Sequence, residues 1–236
     1  MRPVTDVDME NLLLGRARER MVEFGPTGIC VHPDVAAPLR ALIDAAAGER
    51  IAIEVASGFR DFDRQLQIWN QKARGERPVL DEAEHPLDVF VLSPEQRVFA
   101  ILRWSALPGA SRHHWGTDVD VFDRSALSPG AAPLLARHEA TLGGIFGRLH
   151  TWLDDHARRH GFFRPYANDR AGVSPEPWHL SYAPLARTFE DAHSLESLER
   201  ALRGADLELK DQVLRHLEAI FERYVRAGFM SCSSQG

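Results

Sequence analysis

Ser111-Arg112-His113-His114-Trp115-Gly116-Thr117-Asp118-Val119-Asp120 is the stretch on which the reading of this chain turns. His113 and Asp120 stand seven positions apart, an odd offset. On one uninterrupted strand they would face opposite sides and could not share a ligand. Gly116 lies between them and can supply the bend that lets both converge. From there Asp118, Asp120 and Phe122 alternate with Val119 and Val121. A strand over Val119 to Phe122 would carry carboxylates on one side and apolar residues on the other.

Two further segments add to it. In Glu176-Pro177-Trp178-His179-Leu180-Ser181-Tyr182 the apolar Trp178, Leu180 and Tyr182 share one face of a strand and His179 and Ser181 the other. A core that buries the first face leaves His179 looking into a cleft. Pro177 forces Glu176 into an extended conformation three residues before that histidine. Upstream, Ile51 to Ala56 reads as a buried β-branched strand that delivers Ser57-Gly58-Phe59-Arg60. The guanidinium of Arg60 offers a fixed fork for a carboxylate or an oxyanion, with an ion pair to Asp61 or Asp63 as its alternative. Two imidazoles, a carboxylate, a spare carboxylate and a cation are the parts of a zinc hydrolase with one coordination position open for water. The H-E-x-x-H helix motif is absent, which excludes the common zincin layout.

The 236 residues suffice for one large domain or a domain with an appendage, and 44% hydrophobic with 26% charged residues is an ordinary globular composition. A formal charge of −6, with arginines spread among acids, argues against nucleic acid as a partner. Cys30 and Cys232 cannot make a disulfide framework or a cysteine-rich zinc site, so any metal must be held by His and carboxylates. Met1 to Leu14 is polar and acidic, without a basic n-region or long apolar run, so we expect no signal peptide, no membrane span and a cytoplasmic protein. A leader missing from the sequence would make it periplasmic.

Helical spacing is expected over residues 8–24, over Pro33 to Ala47, after a capping Asp61, and from a capping Ser93 to about Trp104. Lys72 to Leu92 reads as an insertion over one rim of the site. Pro133 to His160 reads as one long helix with Leu142, Ile145, Phe146, Leu149, Trp152 and Leu153 on its apolar face and His138, His150, His156 and His160 solvated. Two more helices are expected, Leu195–Leu202 and 207–227, enough for one buried face that either caps the domain or forms a homodimer contact. Asp118 and Asp123 read as solvated carboxylates at a strand edge, with orientation of the metal ligands as their alternative role. Short strands mixed with irregularly placed helices favour an α+β fold.

The three segments together resemble the zinc D-Ala-D-Ala carboxypeptidases, in particular their VanY-like branch with the hedgehog/DD-peptidase fold. Its motifs S-G-[YF]-R, S-x-H-x-x-G-x-x-x-D and E-x-W-H each have a full counterpart here, in order. The likeness runs from about Leu13 to Pro184 and implies a peptidase domain over residues 1–189 and a helical extension over 190–236. It further implies a small antiparallel sheet carrying the zinc, flanked by helices. By the same resemblance His113, Asp120 and His179 are the zinc ligands, Glu176 is the catalytic base, and Arg60 steadies the scissile carbonyl oxygen. Ser57 and Gln65 help bind the peptide, Gln65 and Ser111 being the weaker candidates, with a supporting or capping role as the alternative for both. His114 falls where the family often has Gln and stays outside the ligand set.

The substrate class implied is a peptide ending in D-Ala from peptidoglycan or its precursors. The family also contains D,D-dipeptidases, L,D-carboxypeptidases and endolysins, and the related hedgehog fold keeps its metal while serving in binding. An intact Glu176 speaks against that last, non-catalytic alternative.

Overall fold

The computed structural model describes residues 6–169 and 172–229; Cys232 lies outside them, and Cys30 is a free thiol. In chain order the elements begin with helix α1 (Asp6–Leu13), strands β1 (Val22–Glu23) and β2 (Cys30–Val31), and helix α2 (Pro33–Gly48). Strand β3 (Ile53–Ser57), helix α3 (Phe62–Ala73), strands β4 (Val79–Leu80) and β5 (Pro86–Leu87), and helix α4 (Pro94–Leu102) follow. Then come β6 (Asp118–Asp123), helices α5 (Arg137–Ala140) and α6 (Gly147–His156), and strands β7 (Phe162–Phe163) and β8 (His179–Tyr182). Helices α7 (Ala183–Ala192), α8 (Leu195–Gly204), α9 (Lys210–Arg215) and α10 (Leu217–Ile220) end the series.

The fold is α+β. Its centre is a four-stranded antiparallel sheet in the order β3-β6-β8-β7, with β1-β2 and β4-β5 as separate ribbons. The two-residue period of the sequence decides what each face does. Ile53 and Val55 of β3, Val119 and Val121 of β6 and Leu180 of β8 are buried against Val35, Leu39, Leu42 and Ala46 of α2 and Leu149, Trp152 and Leu153 of α6. Burying each such side chain is worth about 1.5–3 kcal/mol, enough to fix the register of strands this short. The opposite face then carries Asp118, Asp120, His179 and Ser181, and Asp120 pairs with His179 across β6-β8.

The caps form where the sequence places them. Asp61 Oδ1 accepts the Arg64 amide at 2.7 Å at the start of α3. Ser93 and Gln96 make a reciprocal capping box at α4, with Pro94 in the first turn.

Several expectations are corrected. The helix expected over residues 8–24 ends at Leu13, because Gly15 takes a φ of 72° and a Cβ there would lie 2.4 Å from His114 Nδ1. The long helix over 133–160 is broken into α5, a turn, α6 and a final 3-10 turn over Ala157–His160. The Glu139 carboxylate folds back to accept the Leu134 and Ala136 amides. Gly144 is pressed so closely on this turn that a Cβ would lie 2.2 Å from His138 O. Leu142 and Ile145 are therefore 89% and 50% exposed instead of lining a core. His150, expected in solvent, is buried, and burial together with Arg164 draws its pKa down to about 4. The helix over 207–227 is likewise interrupted, with His216 between α9 and α10 and a wider turn over Phe221–Val225.

The apolar side of the C-terminal helices is used within the chain. Leu198, Leu202, Leu207, Val213, Leu217 and Ile220 pack against Trp69 of α3 and Val98, Ile101 and Leu102 of α4. The Trp69 indole N–H also donates to Glu208 O at 3.0 Å. These contacts hold α3, which is one wall of the site. No helix among the described residues is long and apolar enough to cross a membrane.

Candidate metal centre

His113 sits in a 3-10 turn, Arg112–Trp115, that Gly116 closes with a φ of 68°. A Cβ on Gly116 would lie 2.7 Å from the His32 amide nitrogen, so only glycine permits this bend. The bend brings His113 to the start of β6, and pairing of β6 with β8 brings His179 beside Asp120. One ligand atom from each of His113, Asp120 and His179 lies within 4.8 Å of the others, and all three residues are buried.

Each imidazole has one nitrogen tied back and the other turned to the shared centre. His113 Nδ1 donates to Gly58 O at 2.8 Å, and its Nε2 stands 3.3 Å from Asp120 Oδ2. His179 Nε2 donates to Asp118 Oδ1 at 2.9 Å, and its Nδ1 stands 3.2 Å from Asp120 Oδ1. Asp120 Oδ1 and His179 Nδ1 are buried and have no hydrogen-bond partner among the described residues. Two buried atoms that face each other at 3.2 Å without a hydrogen bond call for a proton or a metal ion between them. A mixed imidazole and carboxylate set of three suits zinc.

The charges follow from these contacts. Burial alone would push the His179 pKa down, but hydrogen bonding to Asp118 and the charge of Asp120 win and lift it to about 10. Burial and the nearby Arg60 hold His113 below its ordinary value. Burial favours protonation of Asp120, yet the neighbouring imidazoles outweigh it and keep that carboxylate well below the usual range.

His114 is placed differently. Its Nδ1 donates to Arg60 O at 2.6 Å, and its Nε2 accepts the Gly109 amide at 2.9 Å, so both nitrogens are occupied away from the centre. It positions the Arg60 backbone and stacks on Phe62.

Glu176 Oε2 lies 3.6 Å from His179 Nδ1, with 19% of its side chain still exposed to the cleft. Burial, helped by the charge of Asp120, pushes its carboxyl up to about 7 against the pull of His179 and Arg60. The Arg60 guanidinium is held from both ends, donating to Ser57 Oγ at 3.1 Å and Gln65 Oε1 at 3.0 Å. Gln65 in turn donates to Ala106 O at 2.7 Å. Asp61 pairs with Arg18 at 3.8 Å, so the ion pair weighed for Arg60 is not what holds it. Arg60, Glu176, His113, Asp120 and His179 line a cavity of about 440 Å³ that also includes Lys72, Arg77, Ser111, Trp104, Tyr166 and Trp178; Ser57 and Gln65 stand behind Arg60 and are not part of the lining. Ser111 is 4% exposed at its edge. The residues read as an insertion supply Arg77, Pro78 and Leu80 to the rim.

Asp118, read as a solvated strand-edge carboxylate, is fully buried and accepts from Arg112, His179, Thr117 and Ser181. Arg112 is itself 3% exposed, and it also pairs with Glu190 of α7 at 2.7 Å. Asp123 is buried too, accepting from the Ala52 and Ser125 amides. Sequence reading missed the support that Arg112 and Ser181 give the site. The one available signal was the i, i+2 alternation that places Asp118 beside Asp120 and Ser181 beside His179.

A family model described as VanY, D-alanyl-D-alanine carboxypeptidase, matches residues 28–185. An uncharacterized protein of Haemophilus influenzae is 38% identical over 121 residues, which are 50% of this chain and 92% of that protein. A D-alanyl-D-alanine carboxypeptidase of Enterococcus faecalis is 29% identical over 167 residues, 70% of this chain and 52% of its own length. Among solved structures, the LdcB LD-carboxypeptidase is similar with a TM-score of 0.52 at 22% identity, covering 92% of this chain and 88% of that one. A mutant of the vancomycin resistance D,D-pentapeptidase VanY in complex with Zn(II) has a TM-score of 0.50 at 24% identity, covering 81% and 88%. At these identities the two structures have the fold in common with this chain.

Proposed function

The chain belongs to the VanY family of D-alanyl-D-alanine carboxypeptidases, and from that membership we propose a zinc-dependent peptidase that removes a terminal D-Ala from peptidoglycan-derived peptides or their precursors. The observation that carries the reading is the pair of orphaned buried atoms, Asp120 Oδ1 and His179 Nδ1, beside His113 Nε2 and within reach of Glu176. His113, Asp120 and His179 would hold Zn²⁺, three protein ligands being the number found in catalytic zinc sites. Zinc, when bound, supplies the Lewis acidity that makes water a nucleophile near neutral pH.

The protein's own groups do the rest. Glu176 takes a proton from the attacking water and later returns it to the nitrogen of the departing residue. A carboxyl held near 7 can do both at neutral pH, since its proton affinity matches the working range. Arg60 faces the scissile carbonyl oxygen and stabilises the negative charge that develops there. Ser57 and Gln65 keep its fork in one orientation, so no reorganisation is needed as that charge grows. Ser111 lies at the cavity edge, where it would hydrogen-bond the peptide backbone. Asp118 holds His179 in the tautomer that leaves Nδ1 free for the metal.

The test is mass spectrometry after incubating zinc-loaded protein with D-Ala-D-Ala, a muropeptide pentapeptide and an L-Ala-D-Glu peptide. Release of D-Ala from the pentapeptide is expected. Cleavage of the L-Ala-D-Glu bond alone, or of none of the three, overturns the reading.

A further inference from the structure

The cavity carries more positive charge than the proposed chemistry uses. Arg112 is paired with Asp118 and Glu190. Arg60, Lys72 and Arg77 remain on the wall, against the carboxylates of Asp120 and Glu176. Arg60 is anchored by Ser57 and Gln65, but neither the Lys72 ammonium nor the Arg77 guanidinium has a hydrogen-bonding or ion-pairing partner among the described residues. Burial, with Arg77 and Arg60 nearby, draws the Lys72 pKa down to about 8 despite the attraction of Glu176. A half-buried, uncompensated ammonium is costly for the free protein and is relieved by an anionic ligand.

Its place on α3 says where that anion would lie. Ile68 and Lys72 of α3 line the cleft, and Gln65, one turn before Ile68, is buried beside it and grips Arg60. Lys72 is two turns beyond Gln65, about 10 Å along the axis. Lys72 lines the same cavity wall as Arg60 and is close enough to Arg60 and Glu176 to feel both charges. Leu80, Trp104, Ala106 and Val173 give this part of the cavity an apolar lining suited to a small side chain.

We infer that Lys72, assisted by Arg77, binds the free α-carboxylate of the residue that leaves, and that this contact makes the protein cut at a chain terminus in preference to an internal bond. The inference rests on the peptidase reading and names residues that enforce its end-specificity. Lys72 is a specificity residue in this scheme, because it contacts a part of the substrate that does not react.

The experiment compares zinc-loaded wild type, Lys72→Met and Lys72→Arg on an N-acylated peptide ending in D-Ala-D-Ala, as free acid and as C-terminal amide. For the free acid, Lys72→Met should raise KM about 10- to 100-fold, the weight of one charge-assisted hydrogen bond, with kcat changed less than threefold. For the amide its KM should stay within about threefold of wild type, and Lys72→Arg should keep most of the preference for the free acid. Calorimetric binding of the same two peptides to the Glu176→Gln protein, with and without Lys72→Met, reads the contact without turnover. Equal losses on acid and amide, or no loss on the acid, overturn the inference. If wild type cleaves neither peptide while Lys72 still governs the difference in binding, it is the peptidase reading that falls.

Discussion

Asp118→Asn separates the metal site from an ordinary buried ion pair more sharply than any other substitution. The change keeps the shape of the side chain and removes its charge. Asp118 accepts from Arg112 Nε at 2.8 Å, His179 Nε2 at 2.9 Å, Ser181 Oγ at 3.1 Å and the Thr117 hydroxyl. An amide presents donors where the carboxylate accepted, so some of these partners are left facing an N–H. Arg112, 3% exposed, then keeps Glu190 as its one ion-pairing carboxylate among the described residues.

Breaking a buried pair in this way costs about 3–5 kcal/mol, which at roughly 2–4 °C per kcal/mol for a chain of this size lowers Tm by about 6–20 °C. The second effect is on zinc. Without the carboxylate, the His179 ring is less firmly oriented and less basic, and affinity should fall about 10- to 100-fold. Ser181→Ala is the control, since it removes a hydroxyl from the same network but nothing that contacts His179. It should cost about 0.5–1.5 kcal/mol and leave zinc affinity unchanged. Chelator competition measures the affinity and thermal denaturation the stability. The same network holds the Asp118 pKa well below the usual carboxylate range, because Arg112 and His179 outweigh burial. Its stability is therefore present above the ordinary carboxylate value and is lost only as pH falls through the lowered one. Asp118→Asn should abolish that part of the acid sensitivity. A variant that binds zinc as tightly as wild type and melts within about 2 °C of it would refute the assignment of Asp118 as the support of His179.

Four further outcomes can be checked. Glu176→Gln should keep zinc while turnover falls about 10²- to 10⁴-fold; loss of zinc in that variant would make Glu176 a ligand or a structural prop. Zinc binding at pH 7 should release about one proton, because His179, lifted to about 10, is charged in the metal-free protein and must give up its Nδ1 proton to bind. Titration calorimetry in buffers of different ionisation enthalpy counts that proton, and none released would remove His179 from the ligand set. In the metal-free protein the same shift gives stability that is full below about 6.5 and lost as pH rises through about 10. Arg60→Lys keeps a charge but loses the fork held by Ser57 and Gln65, so kcat should fall while KM changes little; a stability loss with normal kinetics would take Arg60 out of the reaction.

The sequence by itself determined which residue types meet at the candidate site and the direction they face. Alternation in Val119-Asp120-Val121 and in His179-Leu180-Ser181 has a period that only a strand uses, and Gly116 is the residue a bend before Asp120 requires. Those signals are local, so they survive being read one segment at a time. Tertiary structure alone decided what surrounds them. Asp118 looks like any exposed carboxylate until β8 and α7 bring Ser181, His179 and Glu190 to the same buried arginine. The helical pattern over residues 133–160 is also genuine, but Glu139 caps backbone amides and Gly144 packs on the turn, and these contacts outweigh propensity. Lys72 carries no signal of its own, being one more charge on an amphipathic helix. It becomes a candidate for substrate recognition only because the C-terminal helices pack behind α3 and that helix lines the same cavity as His113, Asp120 and His179. A side chain's period is written in its neighbours along the chain, whereas the charges it meets come from residues distant in sequence, and only packing sets them.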